Sequence, residues 1–431
     1  MTRFAASLRS SARMFAVTSL WGCAVALSAA ADRTITFPDI AGYRTLKTDF
    51  HQHTVFSDGK VWPHVRVEES VRDGLDALAI TDHLEWQPHS RDLPNPDRNR
   101  AFEIAKLAAS FPPGLSEGDY WLIEQYMRGR EDLVKAQDTL VARPKGAEQE
   151  AKAQSILVVP GVEITRNMPL GHVGALFIAD ANRLLDADPL VVLREAAKQG
   201  AFLVWNHPWS LNRGKGVDGV ARNTELHSRL FDEKLVQGIE VVNTDTYSEE
   251  ALQIALDRNL TIVGTSDIHG LIDWTYPAPE KHRPVTLVFA KEKTLPSLRE
   301  ALVERRTVVW FNNTLIGRAD WIDPLLKACL TVRPVGYKPD RRKYSIQERP
   351  DTSLLDVEIV NSSDAMFILR STGPFKVSTE GEVFTVGPHS SLKLTVLTVK
   401  RIPETELSFE VLNTTVAPRQ HATATWILKT N

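Results

Sequence analysis

The chain has little cysteine: two residues in 431. One of them, Cys23, lies in a leader-like N-terminus, which leaves Cys329 alone in the remainder. A lone thiol forms no intrachain disulfide, and a chain this long builds its core without one. Cys329 sits in an apolar stretch and reads as a buried, inert thiol. Charge of one sign is also lacking. The formal net charge is -3, so nothing electrostatic argues for a nucleic-acid partner. Beyond the leader no apolar run reaches the roughly 18 residues that a membrane span needs. No Gly-rich nucleotide fingerprint follows the first strand pattern, and no Gly-x-Ser-x-Gly elbow offers a serine nucleophile. Internal repeats and low-complexity tracts are absent from the sequence.

The first 31 residues read as an export signal. Arg3, Arg9 and Arg13 are the only charges before Asp32, an apolar run covers 14–27, and Ser28, Ala29, Ala30 and Ala31 are small residues suited to cleavage. The expectation is a periplasmic or secreted protein with no membrane span.

Residues 45–310 alternate short apolar runs with helical patterns. The runs are 45–50, 77–81, 156–159, 173–178, 202–206, 239–242, 261–264 and 285–289. Several lack polar alternation, as strands covered on both faces should. Helices are expected at 61–75, 184–199 and 248–258. This rhythm favours a closed α/β barrel over an open doubly wound sheet. Residues 86–154 form an irregular insertion with helical segments near 102–109 and 120–140, the kind of segment from which active-site lids are drawn. Past Arg318 the runs become short and β-prone, with no helix pattern. The expected organisation is a barrel over 32–330, a linker over 331–344 and a small β-sandwich over 345–431.

Histidine is not abundant, but its placement is telling. His51 and His53 share a face of an extended segment, and Asp58 follows in the next loop. Thr81-Asp82-His83 follows the second strand. Glu163 follows Pro160-Gly161 after the third, with His172 nine residues on. His207 ends another strand, and Asp267-Ile268-His269 ends a further one. In a β/α barrel such ends converge on one rim. Nine imidazoles and carboxylates exceed the needs of one ion, and suit two or three of Mn²⁺, Zn²⁺ or Fe²⁺. Asp82 caps a helix or orients His83.

These motifs resemble the PHP superfamily, named for polymerase and histidinol phosphatase. The opening His51-x-His53, Asp82-His83, Glu163 after Pro-Gly, the single His172 and His207, and the closing Asp267-x-His269 each match that pattern. The resemblance implies a distorted (β/α)7 TIM-like barrel and metal-dependent hydrolysis of phosphate esters by a hydroxide bridging two ions. It groups His51, His53, Glu163 and Asp267 on one metal, with Glu163, His172 and His207 on a second. Asp58, His83 and His269 take the third, Asp58 standing where some members have histidine. The leader, insertion and β tail are similar to exported PHP phosphodiesterases of the kind that degrade organophosphate diesters. The substrate is then a small phosphodiester, with a phosphomonoester as the alternative. A non-catalytic binding protein is a third reading, disfavoured because no ligand is missing from the pattern. Glu163 is expected to bridge, and metal-bound water or one of Asp267, Asp82, His207 and His269 to carry the leaving-group proton. Arg166 is a candidate for the phosphoryl group. Weaker substrate candidates are His89, Asn99, Arg100, Trp209, Asn243, Tyr247 and His282. Oligomeric state has no signature.

Overall fold

The computed structural model describes residues 34–111, 117–127, 156–210, 213–214, 217–338, 353–377, 381–398 and 400–430. The expected export signal, 1–31, and much of the 86–154 insertion lie outside these residues.

Each of the eight apolar runs is a strand: β1 Arg44–Asp49, β2 Ala77–Ile80, β3 Leu157–Ile164, β4 Val173–Leu176, β5 Phe202–Trp205, β6 Gly238–Asn243, β7 Thr261–Thr265 and β8 Val285–Ala290. Hydrogen bonds order them β7-β6-β5-β4-β3-β2-β1-β8. All residues of β2, β4, β5, β6, β7 and β8 are buried, which is why these strands carry no polar alternation.

The sheet is not all parallel. β4 runs antiparallel to both β3 and β5, and β8 antiparallel to β1. The β3–β4 connection is short, 165–172, while β4 reaches β5 through 177–201 and the helix within it, so a pattern of apolar runs alone does not reveal the sense of these strands. Between β7 and β8 side chains bridge the two backbones. Thr286 Oγ1 accepts from Gly264 N at 2.9 Å and donates to Gly264 O at 2.7 Å. From the next strand, Thr307–Phe311, Thr307 Oγ1 donates to Ile262 O at 2.7 Å. A Cβ on Gly264 would lie 2.3 Å from Val309 Cγ1, so this approach requires glycine.

Helices cover the sheet where the sequence patterns place them, at Pro63–Arg72, Pro189–Lys198 and Glu249–Asp257. Ser248 caps the last, its hydroxyl accepting from Ala251 N at 3.1 Å. In the insertion, helix Arg100–Ala109 buries Phe102, Ile104 and Ala105 against helix Pro63–Arg72 and β3. This part of the insertion is core, not lid. Helix Glu117–Met127 follows, within the expected 120–140 segment, whose remainder lies outside the described residues.

Two expectations near residue 320 are corrected. Ala319–Cys329 is a helix, although Pro324 interrupts its pattern. Its buried Ile322, Leu325, Leu326 and Cys329 form one apolar stripe. Leu330–Tyr337, expected as the barrel's end and its linker, is a strand paired antiparallel with Ser353–Asn361. It alternates buried and exposed residues only partly, and Pro334 and Gly336 obscure it further. Two four-stranded antiparallel sheets then make the C-terminal domain. Leu355, Val357 and Ile359 from one, with Phe367, Leu369 and Phe409 from the other, pack together as its apolar core. Strand Thr414–Thr415 pairs with Thr314–Gly317, tying this domain to the barrel sheet. Among the described residues no helix is long and apolar enough to cross a membrane.

Candidate metal centre

His51 and His53 extend β1 by two and four residues. Gln52 between them is held by Thr81: Gln52 N donates to Thr81 Oγ1 at 3.1 Å and Thr81 N donates to Gln52 O at 2.9 Å. His53 N donates to Ile268 O at 3.0 Å, which locks this segment to the one carrying Asp267 and His269. The period of two therefore places both imidazoles on the inner face. The following turn closes through Gly59 N to Thr54 O at 2.9 Å. A Cβ on Gly59 would stand 2.6 Å from the His53 carbonyl carbon, so only glycine lets the turn fold back and deliver Asp58. Asp82 does not orient His83. Its oxygens accept from Thr54 N at 2.7 Å, Thr54 Oγ1 at 2.6 Å and Ser57 Oγ at 2.5 Å, holding the Asp58 turn in place.

Glu163 lies at the middle of the cluster and is fully buried. Its Oε1 lies 3.3 Å from His51 Nε2, 3.3 Å from His172 Nδ1 and 3.2 Å from His207 Nε2, and accepts from Asn206 Nδ2 at 2.8 Å. Its Oε2 lies 2.8 Å from His83 Nδ1. His172 reaches the rim because β4 is antiparallel, so that the start of this strand lies beside the ends of β3 and β5. Asp267 Oδ1 lies 3.1 Å from His53 Nε2 and 3.3 Å from His51 Nε2. Asp58 Oδ2 lies 3.0 Å from His269 Nε2 and 3.6 Å from His83 Nε2, and Asp58 Oδ1 is 3.4 Å from His53 Nδ1. His207 and Asp267 both have left-handed backbones, φ 26° and 48°, a strain that collects at functional sites.

All nine histidines and carboxylates singled out in the sequence are thus brought together. They form four overlapping sets: His53, Asp58, His83 and His269; His51, Glu163 and His207; His51, His53 and Asp267; His83, Glu163 and His172. Within each set the donor atoms lie within 4.8 Å of one another. The sets share members differently from the grouping the resemblance implies: His172 and His207 both touch Glu163 but fall into separate sets, and His53 joins Asp58.

The donor set fits divalent metal ions. His51 Nε2 and His53 Nε2 face each other at 3.0 Å, and Glu163 Oε2, Asp267 Oδ1 and His172 Nδ1 are buried without a hydrogen-bond partner. Buried polar atoms so placed call for cations between them. Burial opposes the charge on His51, but Asp267, Glu240 and Glu163 outweigh it and hold its pKa well above the usual value. Burial likewise opposes His83, yet Asp58 and Glu163 push its pKa up to about 10. Burial would raise Glu163, but His51, His172 and His207 hold its carboxyl well below the usual range.

Arg166 pairs with Glu85 at 2.9 Å and donates to Asp186 O, an arrangement that holds it in a salt bridge. Asn99 donates to Asp180 at 3.0 Å and accepts from Ala181 N at 2.8 Å, fixing a loop. Trp209 is buried, His282 stacks on Trp310 with centroids 3.5 Å apart, and His89 is exposed. Arg100 is the first residue of its helix, and Tyr247 is half-buried in a short strand. Asn243 donates to Glu240 at 2.9 Å.

Glu240 itself went unread in the sequence. It is buried in β6, with Oε1 2.9 Å from His51 Nδ1 and Oε2 accepting from His207 N at 2.7 Å. The available signal was a single charge inside the run Gly238–Asn243. Asp49 was missed for the same reason: at the end of β1, it accepts from Ser266 N and Oγ and pairs with buried Arg283 at 3.1 Å.

Comparison with solved structures finds a two-domain protein of Bacteroides vulgatus that contains a predicted PHP-like metal-dependent phosphoesterase. The two are 35% identical with a TM-score of 0.72, over 92% of this chain and 98% of the other. PsfC of Pseudomonas syringae is 17% identical with a TM-score of 0.37, over 62% of this chain and 92% of its own. A family model described as an Ig-like domain matches residues 341–427. No curated protein matches the sequence.

Proposed function

The chain belongs to the PHP-like metal-dependent phosphoesterases, and on that premise we propose that it hydrolyses phosphodiesters at a centre of two or three divalent ions, drawn from Mn²⁺, Zn²⁺ and Fe²⁺. The observation that carries this reading is the convergence of nine donors in four overlapping sets. Ions held there supply Lewis acidity, lowering the pKa of water and neutralising phosphoryl oxygens. The protein's own part is to hold them. Glu163, touched by histidines on both oxygens, bridges neighbouring sets, while Asp267 joins His51 to His53. His269, 36% exposed at its side chain, is the most solvent-open of these donors, with Nε2 3.0 Å from Asp58 and Nδ1 2.8 Å from Asp267 O.

Two features favour a diester over a monoester. Arg166, the cation nearest Glu163 in sequence, is committed to Glu85, so it adds no charge for a dianion. Trp86 is 51% exposed with its ring 5.0 Å from that of His83, leaving an apolar surface beside the donors for a second ester group. The test compares bis(4-nitrophenyl) phosphate with 4-nitrophenyl phosphate on metal-loaded, chelated and reconstituted protein. Faster diester turnover that disappears on chelation and returns with metal is expected. Preference for the monoester defeats the diester reading, and one ion or fewer in active protein defeats the multinuclear one. We also propose that residues 1–31 direct export to the periplasm or medium; amino-terminal sequencing of exported protein should begin near residue 31 or 32.

A further inference from the structure

We propose that Glu240 is a positioning residue of this centre: it fixes which ring nitrogen of His51 carries the proton, and it anchors the backbone of His207. The inference rests on the metal-binding reading above and goes beyond it, because Glu240 belongs to none of the four donor sets. It is 1% exposed and filled on both oxygens. Oε1 takes His51 Nδ1 at 2.9 Å and Thr265 Oγ1 at 2.6 Å, while Oε2 takes His207 N at 2.7 Å and Asn243 Nδ2 at 2.9 Å. A carboxylate has lone pairs for all four.

The consequence for His51 is directional. With a carboxylate oxygen beside it, Nδ1 keeps its hydrogen, and Nε2 is the nitrogen that would give up its proton to bind an ion. That Nε2 is the atom facing Glu163, Asp267 and His53 at 3.3, 3.3 and 3.0 Å. The consequence for His207 is conformational. Its left-handed φ of 26° is costly for a non-glycine residue, and the bond from its N–H to Glu240 is one of the contacts that hold it there. The local backbone is built for the task. The β6–β7 pairing runs from Glu240 opposite Val263 directly to Val242 opposite Gly264, so a bulge falls immediately after Glu240. Bulges of this kind re-aim side chains beside sites.

Glu240→Gln isolates the effect, because it keeps the volume. The N–H of His207 cannot be turned around, so the amide oxygen must take the Oε2 place. The amide NH₂ then faces His51 Nδ1, which must accept, and the ring proton moves to Nε2, where an ion would bind. Zn²⁺ affinity, read by isothermal titration into metal-free protein, should fall by about 10–100-fold, the range found when partners behind metal-binding histidines are removed. Circular dichroism of the metal-free variant should match the wild type. In Zn²⁺-loaded wild-type protein, ¹⁵N spectra of labelled histidine should place a slowly exchanging proton on His51 Nδ1, assigned by its loss in His51→Gln. That measurement decides the matter even if Glu240→Gln does not fold. Wild-type Zn²⁺ affinity in a folded Glu240→Gln, or a bare Nδ1 in loaded wild type, overturns the proposal. Wild-type protein that binds no metal overturns the proposed function as well, whereas a wild type that binds metal beside an unaffected variant overturns only the role of Glu240.

Discussion

The barrel and the C-terminal sandwich handle polar groups in opposite ways. The barrel interior holds Glu163, Glu240, Asp49, Arg66 and Arg283, each nearly or wholly buried. Among the described residues the sandwich buries neutral polar groups such as Asn361 and Thr405 but no charge, and its charges pair outside, as Arg333 does with Glu358 and Arg370 with Glu410. Burying charge is unfavourable unless every charge is answered. The barrel answers its own twice over: histidines, and the ions they suit, around Glu163 at the rim, and arginines below. Arg283 takes Asp49 at 3.1 Å and Asp73 at 2.8 Å, and Arg66 takes Glu69 at 2.8 Å while bonding the carbonyls of His53 and Ile268. The lower network therefore braces the backbone of the upper one. The sandwich has no such obligation and rests on apolar burial.

This contrast can be broken at graded points. The largest effect is expected at Glu163→Gln. Removing the charge that faces five histidines should lower turnover of an aryl phosphodiester by at least about 10²-fold, with loss of metal and retention of fold. Near-normal turnover with full metal content would show that Glu163 does not bridge. Next is Arg283→Met, which strands two buried carboxylates. A loss of about 3–5 kcal/mol in urea unfolding is expected, the magnitude for breaking a buried ion pair, and an unchanged midpoint would mean the network is dispensable. In the sandwich, Ile359→Ala should cost about 2–5 kcal/mol while turnover per folded molecule stays at the wild-type value. A drop in that turnover would show that the sandwich shapes the centre. Metal loading should sharpen the comparison by pH. His51 and His83, raised in the metal-free protein, must give up protons to an ion, so affinity should rise with pH and weaken as pH falls. Titration in two buffers of different ionisation enthalpy should register proton release, and its absence would count against these histidines as ligands. Smallest of all is Arg370→Ala on the sandwich surface, where solvent and salt screen the pair with Glu410 and the unfolding midpoint should not move.

Much of this architecture is legible in the sequence because it is local. Strands buried on both faces appear as unbroken apolar runs, His51 and His53 share a face through the period of an extended chain, and Ser248 caps a helix through its own neighbours. What was misread has identifiable causes. Pro324 masks a helix, Pro334 and Gly336 mask a strand, and an antiparallel β4 looks like a parallel one when only its hydrophobicity is visible. Arg166, three residues past Glu163, pairs with Glu85, a partner that spacing along the chain does not reveal.

By itself, the sequence determined which residue types would meet at the strand ends and that their chemistry favours metal ions, because motif spacing and strand periodicity act over a few residues. Tertiary structure alone decided what stands behind them. Glu240 lies 189 residues from His51, and Asp49 lies 217 from Ser266. A lone carboxylate in an apolar strand shows only that some partner must exist. Which imidazole, amide or guanidinium fills that need depends on strands brought side by side by the closing of the sheet, and no short-range pattern encodes it.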